Sequence, residues 1–103
     1  MARPNVDLHP DAIAEARAAF LWYFERNPSA ASAFIAELDR AVREIRNAPE
    51  TWPQYLHGTR KFLLRRFPYS VVYRVTEVAI QVVAVAHGHR RPGYWRSRRF
   101  QND

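Results

Sequence analysis

The chain contains no cysteine in its 103 residues. Disulfide frameworks, zinc–thiolate centres and thiol nucleophiles are therefore excluded. The absence is compatible with a reducing cytosol. No apolar run approaches the roughly 18 residues that a membrane span needs. The opening stretch MARPNVDLHPD has no apolar signal core. Internal repeats, low-complexity segments and linkers are also missing. The expectation from these absences is a soluble, cytoplasmic protein. Residues 1–103 are expected to form one domain, large enough to bury a core without metals or disulfides.

Acidic residues are scarce in the second half. Residues 1–51 hold six arginines against eight acids, a net −2, whereas residues 52–103 hold ten Lys/Arg against only Glu77 and Asp103, a net +8. Lysine is rarer still, since 15 of the 16 basic residues are arginine. A taste for arginine explains the choice of side chain but not its crowding into one half. The asymmetry points to a polyanionic partner, either nucleic acid or an acidic protein segment.

The local patterns are readable. Arg3–Leu8 alternates as a short strand. A helix follows from His9 to Asn27, with Pro10 suited to its first turn and Asp11 and Glu15 favouring the positive end of its dipole. Its expected apolar stripe is Ile13, Ala16, Phe20 and Phe24, flanked by Ala19 and Tyr23. Asn27-Pro28 breaks this helix, and a second begins at once, capped by Asn27 or Ser29. The second helix places Ala31, Phe34, Ile35, Leu38, Ala41, Val42 and Ile45 on one face and Glu37, Arg40, Arg43, Glu44 and Arg46 on the other. A link this short predicts an antiparallel hairpin. The loop PETWPQYLHG carries Trp52 and Tyr55, which are expected to plug the end of the core.

Three strand patterns complete the chain: Thr59–Phe67, Tyr69–Val75 and Val78–His87. The last is apolar on both faces and reads as central. The expected architecture is α+β, ordered β-α-α-β-β-β, with a helical hairpin packed on one face of a twisted antiparallel sheet. Along the first of these strands Arg60, Phe62, Leu64 and Arg66 share one parity, and Lys61, Leu63, Arg65 and Phe67 the other. Which parity faces solvent is open at this point.

Two stretches, RKFLLRRFPYSVVYRV and VVAVAHGHRRPGYWRSR, together with the P…WPQY loop, carry a family resemblance over almost the whole chain. Their order and spacing resemble the RelE/ParE superfamily of bacterial type II toxin–antitoxin toxins. The resemblance implies a toxin whose cognate acidic antitoxin protein wraps it and folds on binding. It also implies one of two targets. RelE-like members cut mRNA in the ribosomal A site, and ParE-like members inhibit DNA gyrase without a catalytic site of their own.

Metal-free RNA cleavage needs a base for the 2′-OH, cations for the phosphorane and an acid for the leaving oxygen. No metal or other cofactor is expected. His87 and His89, at the end of the central strand, are the natural proton-transfer residues. Arg65, Arg66 and Arg90 can clamp phosphate through their planar forks. By resemblance, Tyr94 occupies the place of the family's functional C-terminal tyrosine, and Lys61, beside Arg60, falls where RelE-like nucleases carry catalytic lysine. Those nucleases often present two lysines there; this chain has one. The expected catalytic set is thus His87, His89, Tyr94, Lys61 and Arg65, with Arg60, Arg66, Arg90 and Arg91 binding RNA phosphates. Plainer roles exist for each. His87 can cap the strand end, Arg90 and Arg91 can hold antitoxin carboxylates, Trp95 can pack the tail onto the sheet, and Arg96–Phe100 can be a basic tail or short helix. Site chemistry alone favours an mRNA endonuclease on the ribosome over a gyrase inhibitor.

Overall fold

The structure, a computed structural model, describes residues 4–101. Strand β1 (Asn5–Leu8) leads into helix α1 (Pro10–Arg26) and helix α2 (Pro28–Asn47). After the loop and a short 3-10 turn at Leu56–Gly58 come β2 (Arg60–Leu63), β3 (Tyr69–Val75) and β4 (Ala79–His87). The expected β-α-α-β-β-β order is present, and the hairpin lies on one face of a four-stranded sheet of order β1-β4-β3-β2. Arg3, read as the start of the first strand, lies outside the described residues. No helix among the described residues is long and apolar enough to cross a membrane.

The sheet is mixed rather than wholly antiparallel. β2, β3 and β4 are antiparallel neighbours, but β1 runs parallel to β4, pairing Asn5 with Ala79 through Leu8 with Val82. The helical hairpin is the crossover that parallel neighbours require. Because β4 lies between two strands and under α1, residues Ala79–Val85 are all buried.

Both helix starts are capped from the side chain. His9 Nδ1 accepts from the Asp11 N–H at 3.0 Å, with Pro10 next in line. Asn27 closes α1 through its own N–H and opens α2 by accepting from Ser29 and Ala30 at 3.0 and 3.4 Å. One residue thus serves as the C-cap of one helix and the N-cap of the next.

The buried face of α1 differs from the expected stripe. Ala12 and Ala19 are buried, with Ala16 and Tyr23 partly so, while Ile13 and Phe24 are about half exposed. Small side chains let α1 lie close to β4, and that rotates the bulky residues outward. α2 follows its expected face through Ala31, Phe34, Ala41 and Ile45, but Glu37 is buried among them, not solvated. The expected strand Thr59–Phe67 is cut to four residues for the same reason. Glu37 Oε1 accepts the Arg65 and Arg66 N–H groups, so those donors leave the ladder.

Two apolar layers flank the sheet. The helix side holds Phe34, Ile45, Val71, Tyr73, Ile80, Val82 and Val85, and Trp52 packs on Phe62 at its end with ring centroids 4.5 Å apart. On the outer side, Val72, Val83 and Ala84 are covered by Trp95, which is 2% exposed. Residues 88–101 therefore fold back as a strap, and the expected packing role of Trp95 is met. A bulge sits where Val72 pairs with Ala84 but Tyr73 pairs with Val82. Val83 is the extra residue, and beyond it the faces of β4 exchange. Val85 and His87 consequently point to the helix side.

Candidate functional site

β1 ends opposite Val82, but β4 continues to His87, so the β4 edge needs other partners beyond that point. Glu15 of α1 and Arg98 of the strap supply them. Glu15 Oε1 accepts the Val85 N–H at 3.0 Å, and Arg98 Nη1 donates to the Val83 carbonyl at 3.1 Å. The two side chains also meet each other, with Arg98 Nη1 on Oε1 and Nη2 on Oε2, both at 2.9 Å. Tyr94 completes the knot by donating its hydroxyl to Glu15 Oε2 at 2.5 Å. Burial raises the Glu15 pKa, but the bonds from Arg98, Tyr94 and the Val85 N–H outweigh it and hold the carboxyl below its ordinary value. The Tyr94 phenol is pushed well above its ordinary value by burial and by the carboxylate it faces, against the opposing pull of Arg98 and Arg90.

The two histidines lie where β4 turns into the strap. His87 Nδ1 accepts the His89 N–H at 3.0 Å, which leaves Nε2 as its outward nitrogen. The His87 ring stands edge-on to Tyr69 and to His89, with centroids 5.0 Å away in each case. His89 is exposed. The Arg90 guanidinium lies 3.8 Å over the Tyr94 ring and 4.0 Å from Glu15. Lys61 points to the outer side of the sheet, its ammonium 4.6 Å over the Tyr55 ring.

Lys61, His87, Arg90, Arg91 and Tyr94 line one small recess of about 80 Å³ between the strap and the outer side of the sheet. The other expected residues stand elsewhere. Arg60 has the parity of Phe62 and donates to the Trp52 carbonyl at 2.7 Å. Arg65 and Arg66 lie on the β2–β3 loop, where the Arg66 Nε meets Glu37 Oε2 at 3.3 Å. Burial raises the Glu37 pKa, but the Arg66 and Arg65 N–H groups and the Arg66 side chain together hold it below its ordinary value. No group of three or more His, Cys, Asp or Glu among the described residues is arranged to hold a metal ion.

Sequence reasoning missed Glu15, Glu37 and Arg98 as organising residues. A signal existed for the two acids. Glu15 stands three residues after Ala12 and four before Ala19, and Glu37 stands likewise between Phe34 and Ala41. Each therefore lies on a buried helical stripe. Arg98 had no such signal, being one of five arginines within ten residues.

A helical hairpin on a mixed sheet, with a basic strap folded over the outer side, is the architecture that the resemblance to the RelE/ParE superfamily implies. The family described as "ParE toxin of type II toxin-antitoxin system, parDE" matches residues 6–92. The chain belongs to that family. It is also 36% identical over 55 residues to Toxin ParE2 of Mycobacterium tuberculosis, in strain CDC 1551 / Oshkosh and again in strain H37Rv. That alignment covers 53% of this chain, and the chain spans about half the length, 52%, of these curated relatives. Among solved structures, "Chromosomal ParDE TA system from P. aeruginosa" has the same fold, with a TM-score of 0.73 at 20% identity, covering 82% of this chain and 96% of that one.

Proposed function

We propose that this toxin acts by binding, with DNA gyrase as its target, and not by cutting mRNA. The observation that carries this reading is the engagement of Tyr94, Lys61 and one nitrogen of His87. The Tyr94 hydroxyl is committed to Glu15, and the His87 Nδ1 to the turn that starts the strap. The Lys61 ammonium rests on the Tyr55 ring. A general base must reach the proton it removes; of these candidates Tyr94 is held on Glu15 and Lys61 over Tyr55, and the His87 Nε2 and the exposed His89 ring stay open. The preference for a nuclease drawn from residue types thus gives way to the runner-up. Membership of a ParE family supports the same reading.

A cognate acidic antitoxin is the proposed second partner. The exposed side chains of Arg65, Arg90, Arg91, Arg96 and Arg99 would meet its carboxylates. The nuclease reading retains one specific support, the recess that Lys61, His87, Arg90, Arg91 and Tyr94 share. The triple variant His87→Ala, His89→Ala, Tyr94→Phe separates the two. Growth arrest that survives in this variant, with primer-extension maps of cellular mRNA free of new ends, supports binding. Loss of arrest together with loss of mRNA cleavage supports catalysis.

A further inference from the structure

Beside the knot around Glu15 lies a second, larger cleft. It arises because β1 stops opposite Val82 and, after Glu15, α1 turns the small Ala18 and Ala19 toward the remaining β4 edge before Trp22 and Tyr23. Its volume is about 460 Å³, within the range of small-ligand pockets. Trp22, Tyr23, Tyr69 and Tyr94 form its aromatic walls, and His87 and Arg90 stand with them in the lining. Trp22 is 51% exposed, although the core has no use for an indole there. The Arg26 guanidinium stacks 3.8 Å from its ring centroid.

The loops next to this cleft are cationic. Gly88 N–H donates to the Pro68 carbonyl at 2.7 Å, which brings residues 64–68 against residues 88–91. Arg65, Arg66, His89, Arg90 and Arg91 are all exposed on these two loops. Neither loop contains an acid. The nearby carboxylates, Glu15 and Glu37, are turned inward onto backbone N–H groups. Glu77 sits in the β3–β4 turn, at the opposite end of that hairpin.

We propose that the cleft and its arginine loops bind single-stranded nucleic acid, with a base stacked on Trp22 and the flanking phosphates held by Arg65, Arg90 and Arg91. Aromatic faces next to a positive groove are the two components of sequence-tolerant single-strand binding. Intact duplex would use the cations and leave the aromatic cleft empty. An acidic peptide would use the cations and leave Trp22 unstacked. The binding does not depend on gyrase being the target, and its test contains no gyrase.

The test is fluorescence anisotropy of the full chain with a labelled 12-mer of deoxythymidylate, a 12-base-pair blunt duplex and a poly-glutamate peptide, across a salt series. The single strand is expected to bind tightest. With three phosphates neutralised, log K against log salt should fall with a slope of about −2. Trp22→Ala, a change at a half-exposed position, should weaken single-strand binding about 5- to 150-fold and leave duplex binding nearly unchanged. The double variant Arg90→Ser, Arg91→Ser should reduce the slope by about 1.4. Arg43→Ser, on the exposed side of α2, should change nothing. The proposal is overturned by equal binding of the duplex, by tighter binding of poly-glutamate, or by undiminished single-strand binding in a folded Trp22→Ala protein.

Discussion

Replacing Glu15 by glutamine removes one charge at the point where helix, central strand and strap meet. The wild-type carboxylate accepts from the Val85 N–H, the Tyr94 hydroxyl and both terminal nitrogens of Arg98. Glutamine offers one carbonyl oxygen to these donors and turns an NH₂ toward the others. The pair is largely shielded, with side-chain exposures of 16% for Glu15 and 14% for Arg98. Breaking a buried pair costs about 3–5 kcal/mol. The retained carbonyl offsets part of that, so we expect a loss of about 2–3 kcal/mol for Glu15→Gln and about 3–5 for Glu15→Ala. A domain of this size has only about 5–15 kcal/mol in total. The melting temperature should therefore drop by about 10–20 °C for the glutamine variant. Urea titration followed by far-UV circular dichroism measures the change directly. Arg40→Ala, at a half-exposed pair 3.4 Å from Glu44, is the control and should cost about 0.3–0.5 kcal/mol. A Glu15→Gln loss as small as the control's would refute the idea that this carboxylate fastens the strap. So would strict additivity with Arg98→Met, since groups in one network couple by about 0.5–3 kcal/mol.

Other outcomes follow from the same contacts. Glu15 and Glu37 both have folded pKa values held below the ordinary 4.5. Their contribution is present above that value and lost as pH falls through the lower folded values, so acid titration of stability should steepen below about pH 4.5 and flatten in the double glutamine variant. Gly93 has φ +80°, and a Cβ there would stand 3.3 Å from His57 Nε2. Gly93→Ala should cost about 1–3 kcal/mol by thermal melting, while alanine at Gly88, which has negative φ and whose Cβ would meet the Pro68 carbonyl oxygen at an ordinary 3.6 Å, should cost less. Trp95→Ala should cost about 3–5 kcal/mol and expose Val72 and Ala84 to the hydrophobic dye ANS, because Trp95 covers the outer side of the sheet.

The order of elements was legible because hydrophobic period changes clearly along the chain. α2 repeats at three and four residues, and β4 is apolar throughout. The face of α1 was not legible, since its large apolar residues point outward and its packing runs through alanines. The short β2 was hidden too. Nothing local to Thr59–Phe67 reveals that a carboxylate 28 residues earlier takes the Arg65 amide. Nor does the run AIQVVAVAH reveal that Val83 is an inserted residue, and the bulge decides which side of the sheet His87 occupies. Of the candidate site, residue types pointed to His87, Arg90 and Tyr94 as neighbours, which they are. What those types could not reveal is that the Tyr94 hydroxyl is tied to Glu15 and the His87 Nδ1 to a backbone N–H.

The central claim, that this ParE-family chain works by binding gyrase without chemistry of its own, is tested most directly by a supercoiling assay with purified gyrase, relaxed plasmid and the isolated toxin. The account predicts that supercoiling falls with increasing toxin, that the His87→Ala, His89→Ala, Tyr94→Phe variant inhibits comparably once shown to be folded, and that the cognate antitoxin restores activity. Full supercoiling at a large excess of folded toxin would contradict it.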